Sequence, residues 1–499
     1  MEKRLILAIV LSSLVLLAWS VIAPKPEPAP LMAPAAVSSV AAPAQPIKAI
    51  SDGEKPGPEV LTSFNNEKFE VIFNQSRAAI KEVIFKEYQS YKFPLLEGFA
   101  NDLNFKKAEI TSEAAAFKYA DSDKEITKRF IFPKAKYCIE LEITIKNLSS
   151  APLVLSLPLS LGAIDFTMDP THARNFDFTV STQDKLLHPN PNKDIAYNNL
   201  KFIGLRDRYF CVITAPPTNN YSAFVKKTSS KGSVLGLNSP ELTILPGQTT
   251  QQKFLIYLGP QEIKQIGQIN PEWSGIVHFG TFDIISQILL KLLEIFYGLT
   301  RNWGMAIIIL SIAVYFLLYP LSVKQMRSMK EMQALQPRIE ELRKALKDNP
   351  QKLNKEIMEL YREHKVNPLG GCLPLLLQMP IFFALYQALL RSVSLKGSGF
   401  LWIKDLSEPD KLFVLPTSLP ILGNEVNLLP ILMMIGMFVQ QKLTMNTGAA
   451  NNEQQKIMLI VFPLIFGFIF YHMPSGLVLY WFVNSALMLI FQFKVSRAK

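Results

Sequence analysis

The chain has 499 residues, more than a single hydrophobic core accommodates, so at least two structural units are expected. Hydrophobic residues make up 49% and the mean hydropathy is +0.18, which is high for a soluble protein. The apolar residues concentrate at the N-terminus and after about residue 302, which indicates a membrane protein with a soluble insert. The net charge of +11 clusters beside the hydrophobic stretches, where it orients a membrane protein, and this placement argues against a basic face for nucleic acid.

The N-terminus reads Met1-Glu2-Lys3-Arg4, and residues 5–23 follow without a charge. Nineteen residues rising ~1.5 Å each span ~28 Å, about the thickness of the hydrocarbon layer. The alternative is a cleaved signal peptide, because Val21-Ile22-Ala23 resembles a cleavage site, but Pro24 would then follow the scissile bond. The pattern favours an uncleaved signal anchor over residues 1–23, with its N-terminus in the cytoplasm.

The next segment is rich in proline and alanine. Nine prolines and eight alanines lie between Pro24 and Pro58, a composition that cannot bury a core. We interpret residues 24–59 as an extended tether that ends the anchor and precedes a separate domain.

From residue 60 to residue 267 the hydrophobic period changes to two. Apolar and polar side chains alternate through 137–146, as expected for a half-buried strand, and similar runs recur between turn signals. The segment therefore predicts an antiparallel β-sandwich. Cys138 and Cys211 could pair, although two small buried thiols are favoured, and His172 and His188 are isolated enough to be surface or turn residues.

Residues 268–300 predict an amphipathic helix in the membrane interface. Asp283, Gln287, Lys291 and Glu294 step by four, four and three through an otherwise apolar stretch. A buried helix of the preceding domain is the alternative. The interfacial interpretation is favoured because a membrane span begins within ten residues.

The C-terminal part, residues 301–499, predicts five membrane spans, which lie near residues 302–322, 373–390, 427–441, 457–473 and 477–493. Residues 323–367 interrupt them with 11 bases and 7 acids and with apolar residues every three or four positions, which predicts a charged helical hairpin that turns at Asn349-Pro350. The excess of bases places this hairpin in the cytoplasm. With the anchor, the topology has six spans and both termini in the cytoplasm.

Common catalytic patterns are missing from the sequence. It contains no His-Glu-x-x-His motif, no paired intramembrane aspartates and no Walker loop. Ser475 has no base near it in sequence, and a Pro-Ser-Gly turn between two spans explains it. A secondary transporter would need an ionisable midplane residue or an ion site, and the spans contain neither.

Polar side chains inside the spans are more informative. Ser311 and Tyr315 lie near one face of the first C-terminal span, Gln378 precedes Met379-Pro380 in the next, and Tyr480 and Asn484 are one turn apart in the last. Such groups are costly in hydrocarbon unless they pair or face water. Hydrogen bonds between helices and a shared wet groove explain them equally well.

Several ordered motifs carry a resemblance to a known family. They are the run 365–372 (Lys-Val-Asn-Pro-Leu-Gly-Gly-Cys), Gln378-Met379-Pro380, Asn302-Trp303-Gly304, Tyr319-Pro320-Leu321, Leu335-Gln336-Pro337, Gln455-Lys456-Ile457-Met458 and the run 474–480 (Pro-Ser-Gly-Leu-Val-Leu-Tyr). Over residues 302–493 the chain resembles the YidC/Oxa/Alb family of membrane-protein insertases. Its anchor, tether and β-domain resemble the Gram-negative form of that family.

The resemblance implies a polytopic α-helical protein of the bacterial inner membrane, with a five-helix insertase core, a periplasmic antiparallel β-sandwich and a cytoplasmic helical hairpin. It implies insertion of nascent membrane proteins through a hydrophilic groove, alone or with the Sec translocon, and a ribosome near the hairpin and the C-terminus. It implies no enzyme activity, catalytic residue, cofactor or metal. The lipid bilayer is the other expected partner, and no specific nucleic-acid sequence is expected. The groove residues expected here are Ser311, Tyr315, Gln378, Met379, Pro380, Tyr480 and Asn484.

One position departs from the family pattern. Members usually carry an arginine in the groove, four residues before the Tyr-Pro-Leu motif, and that position here is Tyr315. Arg391 lies ~20 Å along the helix from Gln378, so we interpret it as an anchor at the membrane interface. The sequence therefore predicts a neutral, polar groove.

Overall fold

The computed structural model describes residues 59–134, 136–167, 175–228, 232–347, 349–364, 366, 373–419, 423–445 and 453–497. The anchor, the tether up to residue 58, His172, Cys372 and most of the motif at 365–372 lie outside these residues. What the sequence predicts for them stays a prediction.

The N-terminal part of the described chain is built from short strands. In chain order they are β1 (Leu61–Asn65), β2 (Phe69–Asn74), β3 (Ala79–Phe85), β4 (Tyr91–Gly98), β5 (Lys107–Ile110), β6 (Ala114–Ala120), β7 (Lys124–Ile131), β8 (Cys138–Asn147), β9 (Leu153–Leu155), β10 (Leu159–Asp165), β11 (Asp177–Thr182), β12 (Leu186–Leu187), β13 (Ile195–Tyr197), β14 (Leu200–Arg206), β15 (Phe210–Thr214), β16 (Ser222–Lys227), β17 (Gly232–Asn238), β18 (Leu242–Ile244) and β19 (Thr249–Pro260). We call this part the β-domain.

The β-domain has two layers of antiparallel strands. One layer is a nine-stranded sheet in the order β12-β11-β14-β15-β19-β8-β7-β6-β5. The other combines the sheets β1-β2-β3-β4 and β10-β17-β16-β13, whose edge strands β4 and β10 are neighbours. Strand β8 follows the predicted alternation, since Ile139, Leu141, Ile143 and Ile145 are buried and Glu140 is exposed. The predicted antiparallel β fold is confirmed.

Two features of this core concern polar or reactive side chains. Cys138 and Cys211 are free and buried, on the two strands that flank β19. Lys128 is fully buried in β7, where its Nζ donates to the carbonyl oxygens of Ala78, at 3.0 Å, and Phe99. Burial lowers the pKa of Lys128 to about 7. This amine ties the ends of two strands of the second layer to the nine-stranded sheet.

The C-terminal part is mainly helical. Its elements are α1 (Ile263–Ile269), α2 (Asp283–Thr300), α3 (Trp303–Ala334), α4 (Gln336–Ala345), α5 (Pro350–Glu363), α6 (Leu373–Arg391), β20 (Phe413–Leu419), β21 (Gly423–Val426), α7 (Leu428–Met445), α8 (Glu453–Tyr471) and α9 (Ser475–Arg497). We call α2 with α3 and α6–α9 the helical core. Helix α2 packs on α3 and α6, and Ser286 of α2 donates to the carbonyl oxygen of Ala384, at 2.9 Å.

The predicted hairpin exists, with one difference. Helix α3 continues unbroken through the predicted end of its span, at residue 322, as far as Ala334. The break comes at Leu335, because Pro337 opens α4 and removes a backbone donor. Asn349 then accepts a hydrogen bond from the backbone N–H of Lys352, at 3.1 Å, and so caps the start of α5.

Within the part of the chain that the structure describes, two helical stretches are long and apolar enough to cross a bilayer, Trp303–Lys324 and Ser475–Phe493. The apolar stretches Leu428–Lys442 and Leu459–Tyr471 are shorter among the described residues. The helical core is therefore confirmed, and the number of six spans stays a prediction.

The connection between α6 and α7, residues 392–427, contains the antiparallel strand pair β20 and β21, which the sequence did not predict between these two spans. This connection covers one end of the helical core. Ser475 Oγ donates to the carbonyl oxygen of Asp405, at 3.1 Å, and Asn427 Nδ2 donates to that of Tyr471, at 2.8 Å. A Cβ on Gly476 would come 3.1 Å from the carbonyl oxygen of Leu406, so glycine allows this close approach.

Candidate substrate site

The strongest contact among the predicted groove residues joins α6 to α9. Gln378 Nε2 donates to the phenolic oxygen of Tyr480, at 2.9 Å. Asn484 Nδ2 donates to the backbone carbonyl of Tyr480, at 2.9 Å. Tyr480 is fully buried, whereas Gln378 and Asn484 are half-buried. The structure thus brings together three residues from sequence positions about 100 apart.

The predicted residues on α3 behave differently. Ser311 is fully buried, and its hydroxyl donates to the carbonyl oxygen of Ile307 in the same helix, at 2.7 Å. Tyr315 is half-buried, and its hydroxyl oxygen is buried without a hydrogen-bond partner among the described residues. The Tyr315 ring lies edge-on to Tyr319, with centroids 6.3 Å apart. Ser311 is therefore satisfied by its own helix, while Tyr315 presents an unsatisfied hydroxyl.

Met379 and Pro380 are both half-buried on α6, directly after Gln378. A proline inside a helix frees the carbonyl one turn earlier, which raises the local polarity of a membrane helix. Because they directly follow Gln378 in sequence, they lie next to the Gln378–Tyr480 contact.

A second polar cluster, which the sequence did not predict, lies where the β-domain meets the helical core. Arg206 Nη2 donates to Asp177 Oδ2, at 3.1 Å, and to His278 Nε2, at 2.5 Å. The ring of His188 lies 3.7 Å from that of His278, centroid to centroid. His188 and His278 are 90 residues apart, so no local motif joins them. The one shared feature in sequence is that each histidine directly follows two apolar residues, Leu186-Leu187 and Ile276-Val277.

The charges of this cluster are strongly coupled. Burial lowers the pKa of His188 to about 4, and burial also lowers that of His278. Burial alone would raise the pKa of Asp177, but the proximity of His278, with Nε2 3.2 Å from Asp177 Oδ2, and the charge of Arg206 hold it below the usual value. Asp177, His188 and His278 are close enough to hold a metal ion. Arg206 Nη2 lies within hydrogen-bond distance of two of these ligand atoms, Asp177 Oδ2 and His278 Nε2, and its charge would repel a metal ion, so the donor set does not fit a metal.

Arg391, which we interpret from the sequence as an anchor at the membrane interface, is half-buried against the protein. Its Nε and Nη1 atoms are buried and have no hydrogen-bond partner among the described residues. Its neighbour Leu390 is tied to the β-domain, because Arg208 Nε donates to the Leu390 carbonyl, at 2.7 Å. Arg391 is thus enclosed at the junction between the β-domain and α6.

Two family models match consecutive parts of this chain, and known proteins are similar to most of its length. The model of the 60Kd inner membrane protein family matches residues 295–499, and that of the YidC periplasmic domain matches residues 100–292. The membrane protein insertase YidC of Pelobacter propionicus is 30% identical, over 98% of this chain and 97% of its own length. That of Syntrophobacter fumaroxidans is 35% identical, over 74% of this chain and 68% of its own.

A crystal structure of an active YidC insertase with its first transmembrane domain resolved aligns with 87% of this chain and 94% of its own, at 19% identity and a TM-score of 0.41. YidC insertases are non-enzymatic proteins of the inner membrane. The near full-length match at 30% identity settles the family. The chain therefore belongs to the YidC family of membrane protein insertases, with the periplasmic domain of that family.

Proposed function

We propose that the helical core inserts nascent membrane segments through a hydrophilic groove lined by Gln378, Tyr480 and Asn484, with Tyr315 on the adjacent helix. The observation that carries this proposal is the Gln378–Tyr480 hydrogen bond, a polar contact inside an apolar bundle. Such a contact stabilises helix packing by only about 0.6 kcal/mol on average, so packing alone is a weak reason for three polar side chains here. Ser311, Met379 and Pro380 complete the proposed lining.

The proposed groove works without a buried cation. Tyr315 stands where relatives of this type are expected to carry arginine, and the five predicted C-terminal spans contain no Asp, Glu, Lys or Arg. The apolar part of α7, Leu428–Lys442, reaches only ~22 Å, against ~30 Å for the hydrocarbon layer, so local thinning of the bilayer is expected. A thin, hydrated site lowers the cost of moving the polar flank of a substrate, and the hydrophobic segment then partitions into lipid.

The rest of the proposed topology follows the charge pattern. The helical hairpin and both termini lie in the cytoplasm, where the ribosome delivers nascent chains. The α6–α7 connection and the β-domain lie in the periplasm, so this connection closes the groove on that side. Buried Asp410 supports the closure, because its Oδ2 accepts from Trp402 Nε1, at 3.0 Å, and from the N–H of Leu429, at 2.9 Å. The core acts alone or beside the Sec translocon.

Replacing Gln378 and Asn484 together with leucine tests the proposal. We expect slower insertion of a small two-span substrate into vesicles, by about tenfold, because the groove loses its two amides and the water that they bind. The control replaces Gln440 and Gln441, near the end of α7, with leucine and adds the same apolar surface elsewhere. Photocrosslinks from positions 315 and 379 to a stalled nascent chain report contact directly. Equal insertion by both double variants would remove the groove assignment.

A further inference from the structure

The helical hairpin contains a groove between α4 and α5 that the insertion mechanism does not use. It encloses about 340 Å³, small for a ligand pocket but sufficient for a few side chains. Leu342, Ala345 and Leu360 form its apolar part. Its charged lining consists of Arg338, Glu341, Glu356, Glu359 and Glu363.

The acidic residues of the hairpin lie mostly in this groove, and the basic residues lie mostly on the remaining surface. Residues 323–367 hold 7 acids and 11 bases, yet the groove takes four of the acids and one of the bases. None of the four glutamates is in a salt bridge with a described residue, whereas Glu331, outside the groove, pairs with Arg327 at 3.2 Å. The groove is thus an acidic surface on an otherwise basic hairpin, with its carboxylates unpaired within the described chain.

The place of the hairpin in the fold indicates what meets this surface. Helix α3 carries Tyr315 and runs on directly to Ala334, next to α4. A segment that enters the proposed groove from the cytoplasm therefore passes beside the hairpin. The cytoplasmic flanks of membrane spans are enriched in lysine and arginine. Their long side chains have apolar stems and a cationic end, which match an apolar floor with an acidic rim.

We propose that the α4–α5 groove binds the Lys/Arg-rich cytoplasmic flank of a nascent membrane segment, which retains that flank in the cytoplasm while the hydrophobic part inserts. This inference rests on the proposed function, since it takes the same substrates. It also explains how the orientation of the inserted segment is set. A basic flank is held on the cytoplasmic side, and an acidic flank is repelled by the same four glutamates.

The test uses the full-length protein in membrane vesicles and a ribosome-stalled substrate with a Lys/Arg flank. A photocrosslinker replaces Ala345, which is exposed and lines the groove, and in a second protein Ala334, which is exposed outside it. The groove variant is Glu356→Gln with Glu359→Gln, and its control is Glu331→Gln with Glu340→Gln. Both pairs remove two carboxylates from the hairpin and preserve side-chain size.

We expect the groove variant to lower the crosslink from position 345 about threefold or more, as the loss of two partly exposed charge contacts implies. The control variant and the crosslink from position 334 should change little, and higher salt should weaken the crosslink from position 345. Glu359→Lys should restore the crosslink to a substrate whose flank is made acidic, which also shows that a groove variant still folds.

Equal loss in the groove and control variants, or a crosslink that ignores the charge of the flank, would overturn the inference. A crosslink from position 379 is measured in the same samples. If the crosslink from position 379 and insertion persist, while the crosslink from position 345 does not depend on the charge of the flank, this inference fails and the proposed groove mechanism stands. If the crosslink from position 345 depends on the charge of the flank but position 379 gives no crosslink, the proposed groove mechanism is the one that fails.

Discussion

At the scale of single residues, Tyr315 is the position with the clearest consequence. Its hydroxyl is buried without a partner, on the face of α3 that carries Ser311. A tyrosine there offers one neutral donor, whereas an arginine would bring a permanent charge and five donors. The proposed groove therefore has hydrogen-bonding capacity but no charge with which to attract an acidic substrate.

Tyr315→Arg should change which substrates are preferred. We expect insertion of a substrate with an acidic translocated tail to accelerate several-fold, since a cation in a low-dielectric site attracts it strongly. The variant pays about 2.5–3.5 kcal/mol for a charge inside the membrane, so its thermal stability should fall. The measurement compares insertion of matched acidic-tail and neutral-tail substrates. Tyr315→Lys is a second cationic variant, and an unchanged ratio in both would show that charge at this position is irrelevant.

At the scale of elements, regular patterns were predictable and irregular ones were not. The period of two in 137–146 identified β8, and the seam of apolar residues identified the hairpin. The β20–β21 pair was missed because it is short and its residues Phe413 and Val414 are exposed, so no buried face marks it. The Gln378–Tyr480 contact spans 102 residues, and local sequence shows only that each side chain needs a partner.

The cluster around Arg206 joins β11 and β14 to the segment that leads into α2, and this junction should respond to pH. Arg206 Nη1 also donates to the His278 carbonyl, at 3.0 Å. The charged groups near the two histidines are Asp177, Arg206 and Arg391, and Asp283 of α2 lies near Arg206. Both histidines have a lowered pKa in the folded state, so the unfolded state binds more protons below the ordinary value of 6.5. Stability therefore falls as the pH drops from 6.5 toward 4.

Hydrogen exchange of the full-length protein measures this effect. We expect amides in β14 to lose about 1 kcal/mol of protection between pH 7.5 and pH 5, after allowance for the 35% exposure of the His188 side chain. The reference is the double variant His188→Asn with His278→Gln, which cannot titrate in this range. If the protection of the wild type and that of the variant change in parallel, the histidines do not control the junction.

At the scale of the whole molecule, a few contacts hold the β-domain on the helical core. Arg208 donates to two carbonyl oxygens, that of Leu390 at the end of α6 and that of Ser407 in the α6–α7 connection, at 2.7 and 2.9 Å. Lys396 lies over the ring of Tyr91, at 5.3 Å. These contacts reach the end of α6 but not the Gln378–Tyr480 pair. They support the position of α6, and the proposed groove contains no residue that makes them.

Residues 275–499 alone should therefore still insert substrates, at a rate within about threefold of the full chain, because no proposed groove residue lies in the β-domain. The truncated protein should be less stable, and Arg208→Met in the full chain should reproduce part of that loss, about 1.5–3 kcal/mol for hydrogen bonds from a charged donor. Insertion and thermal unfolding are measured in parallel. A scaffold that only docks its β-domain onto a translocon predicts the opposite pattern, in which truncation abolishes insertion. Arg208→Met keeps the β-domain and removes only its hydrogen bonds to the α6 end and the α6–α7 connection. If the truncated protein loses insertion and Arg208→Met does not, insertion requires the β-domain itself and not these hydrogen bonds.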